Sequence, residues 1–328
     1  MASVEWDFLQ SQLHERKQKL EAAVVAAPLE PALTSLLREV DAALDRMNQG
    51  TYGLCDFCHE AIEKERLLAD PLICLCIDHL TTSQKRELEE DLELAARIQR
   101  ELLPDQDFRW GGWEIHHHWE PRGQVSGDYC DIVAAEGESG NLFFALGDVA
   151  GKGVAASMMM TQLHAMFRSL ASVGLPLEQM VTLANRVFCE NVISGQYATL
   201  VCGRASRTGQ VEIANVGHWP ALVVRASGVE RIESVGVPLG MFCTRQYPAQ
   251  HIQIEPDETL FLYTDGFIES RSNGDTEFGI DRLAGLLCEH RALAPPELTR
   301  TCIGQLRAFA AGTPRHDDLT LMALRRTG

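Results

Sequence analysis

The chain lacks the run of about 18 apolar residues that a membrane-spanning helix needs, so no membrane partner is expected. It is poor in basic residues. Lys and Arg number 29 against 46 Asp and Glu, a formal charge of −17. Direct binding to a phosphate backbone needs clustered cations, so no direct nucleic-acid partner is expected either. The opening MASVEWDFLQ carries two acids and no basic segment leading into an apolar run, which argues against a secretory signal. Ten Cys without such a signal point to a reducing compartment, the cytoplasm, where thiols bind metal or fill core space rather than pair. There is no Cys-x5-Arg loop for a thiol phosphatase, no G-x4-G-K-[ST] loop, no H-E-x-x-H, no internal repeat and no low-complexity tract.

What is present begins with two amphipathic segments. Leu9, Leu13, Leu20 and Val24 recur at helical spacing over residues 5–26, and Leu33, Leu37, Val40, Leu44 and Met47 do so over 33–48. The stretch 27–32 (APLEPA) breaks between them, which predicts a helical hairpin over 1–50. A third helix is expected over 81–103, with Leu88, Leu92, Ala95 and Leu102 on one stripe, Leu94 and Ile98 widening it, and Pro104 ending it. From about residue 110 short β-rich runs take over, among them NLFFALGDV, ATLVCGRA and TLFLYTDG. Helices are expected at 153–172, 176–193 and 278–310. Grouped helices among many strands predict an α+β sandwich rather than a βαβ repeat.

Between the hairpin and the third helix lies Cys55-x2-Cys58-x17-Cys76-x2-His79. Two short-spaced ligand pairs on turns suit tetrahedral Zn²⁺, and four ligands leave no open position, so a structural zinc is expected. Cys74 can replace Cys76 or His79, or stay a free thiol, and His59 is a further neighbour. Residues 51–79, with Tyr52-Gly53, Ile62, Arg66-Leu67 and Pro71 as well as the metal pairs, resemble the zinc finger of the DksA/TraR family. That family usually has Cys where His79 stands. Its members insert an acidic hairpin tip into RNA polymerase, whereas this tip offers only Glu30.

Four acidic motifs follow: Val125-Ser126-Gly127-Asp128-Tyr129-Cys130-Asp131, Gly147-Asp148-Val149-Ala150-Gly151-Lys152-Gly153, Thr264-Asp265-Gly266-Phe267 and Asp317-Asp318-Leu319-Thr320. Asp148 and Asp265 follow apolar strand-like runs and precede turns, which predicts carboxylates at strand ends facing one cleft. Several such Asp suit Mg²⁺ or Mn²⁺, and a pair of these ions can aim an activated water at phosphorus.

Residues 92–325 resemble the SpoIIE/RsbU-type branch of the metal-dependent PPM phosphatases. The resemblance rests on LAARIQRELLP, VSGDYCD, GDVAGKGVAAS, YATL, NVGHWPAL, VPLG, TDGFIES and DDLTL in that order. It implies an αββα sandwich over 105–328, preceded by the hairpin (1–50), the finger (51–80) and a linker helix (81–104). It further implies two Mn²⁺ or Mg²⁺ held by Asp128, Asp148, Asp265, Asp317 and the Val149 carbonyl. Asp318 is a supporting residue or a swapped ligand, Asp131 a supporting residue, and Cys130 takes the place of a customary tyrosine. The implied reaction is hydrolysis of a phosphoserine or phosphothreonine on a STAS-domain anti-anti-sigma protein, in a partner-switching pathway. The linker helix is expected to mediate a homodimer. The alternative is a non-catalytic adaptor that binds RNA polymerase through the finger.

Other residues read two ways. His218 is an acid near the leaving group or a packing histidine; His316 steers Asp317 or caps a turn; Arg122 meets phosphate or solvent. His116, His117 and His118 alternate faces and are not expected to share a metal. Met158, Met159 and Met160 are expected in the core.

Overall fold

The computed structural model describes residues 2–26, 31–79, 82–135, 140–191, 195–273 and 275–328. The chain divides into two compact units, Met1–Asp91 and Leu92–Gly328, and helix α4 (Thr82–Leu102) runs from one into the other.

In the first unit, α1 (Ala2–Ala26) and α2 (Pro31–Gln49) pack through Leu9, Leu13 and Leu20 against Val40, Ala43 and Leu44, all buried. Each Leu or Val among them removed from water stabilises by roughly 1.5–3 kcal/mol, and Ala43 by less. Helix α2 begins two residues earlier than its apolar stripe suggests, at Pro31, because a first-turn proline gives up no helical hydrogen bond. The hairpin tip with Glu30 lies outside the described residues. A short helix, α3 (Lys64–Ala69), and a single 3₁₀ turn (Ile77–His79) follow.

The second unit is a sandwich of two antiparallel sheets between helical layers. The six-stranded sheet has the order β1 (Asp107–Trp110), β2 (Trp113–Glu120), β11 (Leu319–Arg326), β10 (Thr259–Tyr263), β7 (Ala221–Arg225), β8 (Gly228–Ile232). The five-stranded sheet has the order β3 (Asp128–Ala134), β4 (Leu142–Val149), β5 (Ala198–Ala205), β6 (Gln210–Val216), β9 (Gln250–Gln253). Strand β4 explains the layering. Successive side chains of a strand point to opposite faces. Leu142, Phe144 and Leu146 enter the inter-sheet core with Ile132, Leu260, Leu262 and Met322. Phe143 and Ala145 turn outward beneath α5 (Gly153–Ala171) and α6 (Leu177–Asn191), against Met160, Leu163, Phe167 and Phe188. Both faces are covered, so the strand reads as a continuous apolar run. On the far side Phe261, Leu321 and Ala323 pack under α8 (Ile280–Glu289) and α9 (Pro295–Phe309), while α7 (Asp265–Ile268) is a single turn after β10.

Three expectations are corrected. The stretch 278–310 is two helices, because Pro295-Pro296 starts α9 and a residue preceding proline is held out of the helical region. Of the methionine run only Met160 is core; Met159 packs against it, and Met158 points outward, 68% exposed, because three consecutive helical positions span about 200°. Finally, Cys189 and Cys243 form a disulfide across 54 residues, with Cα atoms 5.7 Å apart, joining α6 to the loop after Leu239.

Candidate active site

Asp128 opens β3 and Asp148 lies one residue from the end of β4. The hairpin register sets these two carboxylates directly opposite each other, an arrangement that repels unless a cation intervenes. From the other sheet, Asp265 is the first residue of α7 and Asp317 stands two residues before β11. Strands β10 and β11 are neighbours with Tyr263 opposite Leu321, so both of these Asp emerge at the same end. The two sheets are tied together there. Asp128 Oδ2 accepts hydrogen bonds from Thr264 Oγ1 (3.0 Å) and Thr320 Oγ1 (2.5 Å), and Thr264 Oγ1 accepts one from Thr320 N (3.0 Å).

Electrostatics mark the cluster as one site. Burial, then Asp148, pushes the Asp128 carboxyl well above the usual range; Thr320 opposes this, and Asp318 and Asp265 add to the rise. Burial, then Asp265, Asp317 and Asp318, raises Asp148 to about 8, against the counter-charge of Lys152. Burial, then Asp317 and Glu269, raises Asp265 to about 6. Groups shifted this far within one cluster are a signature of functional sites.

Two glycines leave the space the site uses. A Cβ on Gly127 would stand 3.2 Å from the Val149 carbonyl oxygen and 3.4 Å from Asp148 Oδ1. A Cβ on Gly266 would meet the Asp318 carbonyl oxygen at an impossible 1.9 Å. The donor set is carboxylate and carbonyl oxygen, partly buried, with the single ammonium of Lys152 against several carboxylates, which fits a hard divalent cation.

The remaining acids separate. Asp318 braces backbone: its carboxylate accepts from Arg122 N (2.6 Å) and Gly127 N (2.9 Å). Asp131 sits three residues after Asp128, faces away, and is gripped by Arg168 of α5 at 2.7–3.1 Å. Cys130 is buried in the inter-sheet core. His218 donates from Nε2 to the Tyr263 carbonyl (3.0 Å), so its Nδ1 accepts from Thr199 Oγ1 (2.7 Å). Burial lowers it to about 4, against the Tyr263 bond, and with both nitrogens engaged it is a packing histidine. His116 pairs with Asp107 and His118 with Glu120, while His117 is buried and pushed down to about 4, chiefly by burial. His316 contributes its carbonyl, which accepts from Lys152 Nζ (2.9 Å).

Sequence reasoning passed over Thr264, Thr320 and Lys152, although each stands inside or beside an acidic motif. It also passed over Gln99. That buried side chain of α4 clamps the motif-bearing loop, donating from Nε2 to Ser126 O (2.7 Å) and accepting from Ser126 N (2.9 Å).

In the first unit, Cys55, Cys58, Cys76 and His79 bring one ligand atom each within 4.8 Å of all the others. Cys58 Sγ and Cys76 Sγ are 3.7 Å apart, and Cys76 Sγ is 3.1 Å from His79 Nδ1. The four Asp do not converge this tightly. Burial pushes the Cys55 thiol up, but hydrogen bonds from the backbone of Cys58, Cys76 and Phe57 outweigh it and bring it down to about 6. The shift runs toward the thiolate that a metal ligand requires. Cys74 and His59 stand outside this four-atom group.

The profile of the Stage II sporulation protein E (SpoIIE) family matches residues 138–327, more than half of the chain, and the chain belongs to that family. The chain is 28% identical over 246 residues to "Phosphoserine phosphatase RsbU" of Bacillus subtilis, covering 74% of this chain and 72% of that protein. It is 26% identical over 265 residues to "Protein IcfG" of Synechocystis, covering 72% of this chain but only 41% of IcfG's length. Among solved structures, the SiaA-PP2C domain of Pseudomonas aeruginosa superposes with a TM-score of 0.63 at 21% identity, covering 75% of this chain and 98% of that one. This likeness establishes the PP2C-like fold.

Proposed function

We propose that the chain is a metal-dependent protein serine/threonine phosphatase that removes phosphate from a STAS-domain anti-anti-sigma protein in a partner-switching pathway. The observation that carries this reading is the meeting of Asp128, Asp148, Asp265 and Asp317, from both sheets, at one end of the sandwich. Membership of the SpoIIE family and likeness to a phosphoserine phosphatase support it.

Asp128, Asp148, Asp265, Asp317 and the Val149 carbonyl would hold two Mn²⁺ or Mg²⁺. Such ions supply charge that lowers the pKa of a water and neutralises phosphoryl oxygens. The chain's own contribution is preorganisation. Thr264 and Thr320 fix the rotamer of Asp128, the β3–β4 register fixes its distance from Asp148, and Asp318 holds the 122–127 backbone in place.

Cys55, Cys58, Cys76 and His79 would hold one structural Zn²⁺ in a DksA/TraR-like finger. We assign the chain four parts: hairpin 1–50, finger 51–80, linker helix 81–104 and phosphatase domain 105–328. The linker helix, through Gln99, is the route by which the N-terminal parts and a second copy of the chain would reach the Ser126–Asp128 loop.

The test is release of phosphate from p-nitrophenyl phosphate and from phosphorylated STAS proteins, with and without Mn²⁺. Turnover that requires Mn²⁺ and drops by about 100-fold or more in Asp265→Asn is expected. The inert-adaptor alternative requires no turnover in any of these conditions.

A further inference from the structure

Lys152 stands at the N-cap of α5, inside the Gly147–Gly153 motif. Its ammonium donates to Asp317 Oδ2 at 2.8 Å and to the His316 carbonyl at 2.9 Å. It also lowers the carboxyls of Asp148, Asp265 and Glu269, and so acts as a cation at the centre of the acidic cluster. Neither partner of the pair is locked. The Lys152 side chain is 55% exposed and that of Asp317 40%. Pairs this exposed are weak, and a lysine stem reorients easily.

This arrangement puts one carboxylate in two demands. Asp317 is a proposed ligand for a divalent cation, yet its Oδ2 is already taken by an ammonium. A divalent ion that takes Asp317 through Oδ2 competes with Lys152 for that oxygen. The displaced ammonium cannot retreat far, because its Cα is fixed where α5 begins. It is left beside the cleft with three donors, near Glu269 but no longer paired with Asp317, and free to meet an incoming phosphoryl group. A lysine ammonium binds phosphate as a point charge.

We infer that Lys152 is a phosphate-contacting residue that occupies Asp317 before divalent cations bind, and turns to a non-bridging phosphoryl oxygen of the substrate afterwards. The inference rests on the phosphatase reading for its second half and on the ion pair alone for its first.

The two halves predict opposite signs for one substitution. Lys152→Met keeps the stem and removes the charge. Titration calorimetry of Mn²⁺ into metal-free protein is expected to show binding about 3-fold tighter in Lys152→Met than in wild type, because the competitor for Asp317 is gone. The same variant is expected to lose about 10- to 100-fold in kcat/KM on a phosphorylated peptide, the value of one charge-assisted hydrogen bond. Lys152→Arg, which keeps the charge and the donors, is expected to retain most of the turnover.

Equal or weaker Mn²⁺ binding in Lys152→Met overturns the first half, as does equally tightened binding in Lys152→Arg, which keeps the competing charge. Wild-type kcat/KM in Lys152→Met, or a Lys152→Arg as impaired as Lys152→Met, overturns the second. If wild type itself turns over nothing, the phosphatase reading and the second half fall together, while the calorimetry still decides the first.

Discussion

Asp148→Asn should make the metal-free protein more stable, and chiefly at high pH. The Asp148 carboxyl is raised from its ordinary 3.8 to about 8, first by burial and then by Asp265, Asp317 and Asp318. The folded state therefore holds a proton that the unfolded chain would release. Such a group costs nothing below pH 3.8, costs progressively more as pH rises, and levels off above about 8. At roughly 1.4 kcal/mol per unit, ionising it costs about 5 kcal/mol at pH 8 and about 1 kcal/mol at pH 4.5. Asparagine keeps the shape and carries no charge. The gain from Asp148→Asn is thus roughly 5 kcal/mol at pH 8, shrinking to about 1 kcal/mol at pH 4.5. Urea unfolding in the presence of chelator measures it. Four of the five Trp (Trp110, Trp113, Trp119 and Trp219) belong to the sandwich unit and Trp6 to the first, so the transition is read in a Trp6→Phe background, where fluorescence reports the sandwich alone. A higher midpoint at unchanged slope is the expected form. Mn²⁺ at 100 times its Kd should then stabilise wild type by about 2.7 kcal/mol and the variant by much less. If Asp148→Asn is no more stable than wild type at pH 8, or gains as much at pH 4.5, the claim of a repulsive, cation-demanding cluster is wrong.

Arg168→Ala removes the partner of wholly buried Asp131 and should cost about 3 kcal/mol, the lower end for such a break because Arg168 is itself part-exposed. Adding Asp131→Asn should recover much of it, and a loss under 1 kcal/mol in the single variant would show the pair to be incidental. Cys55→Ser should abolish tight metal binding by the first unit, read as bound zinc per chain by mass spectrometry. A variant that keeps one zinc per chain rules Cys55 out as a ligand.

Much of this was readable in one dimension because the relevant physics is local. Helical periodicity located α1, α2 and α4, and Pro104 stopped the last. The Cys55–Cys58 and Cys76–His79 spacings already place two candidate ligands in each of two short segments, and the four side chains do come together. Strand β4 announced burial on both faces by its unbroken apolar run. The odd spacing of Asp128 and Asp131 even contained the information that they face apart. The break at Pro295-Pro296 was equally visible and was missed because the apolar pattern on either side overshadowed it.

Chain order and residue chemistry were enough to single out the acidic side chains of the four motifs and to put them at strand-end turns. Tertiary structure alone decided the rest. Thr264 and Thr320 meet on Asp128 only because β10 and β11 pair in one register; Lys152 reaches Asp317 across 165 positions; Cys189 finds Cys243 across 54; and Met158 turns outward while Met160 is buried. Each of these depends on which distant segments become neighbours. Residue type and local spacing do not encode that, because the energy that selects it comes from packing both faces of two sheets at once.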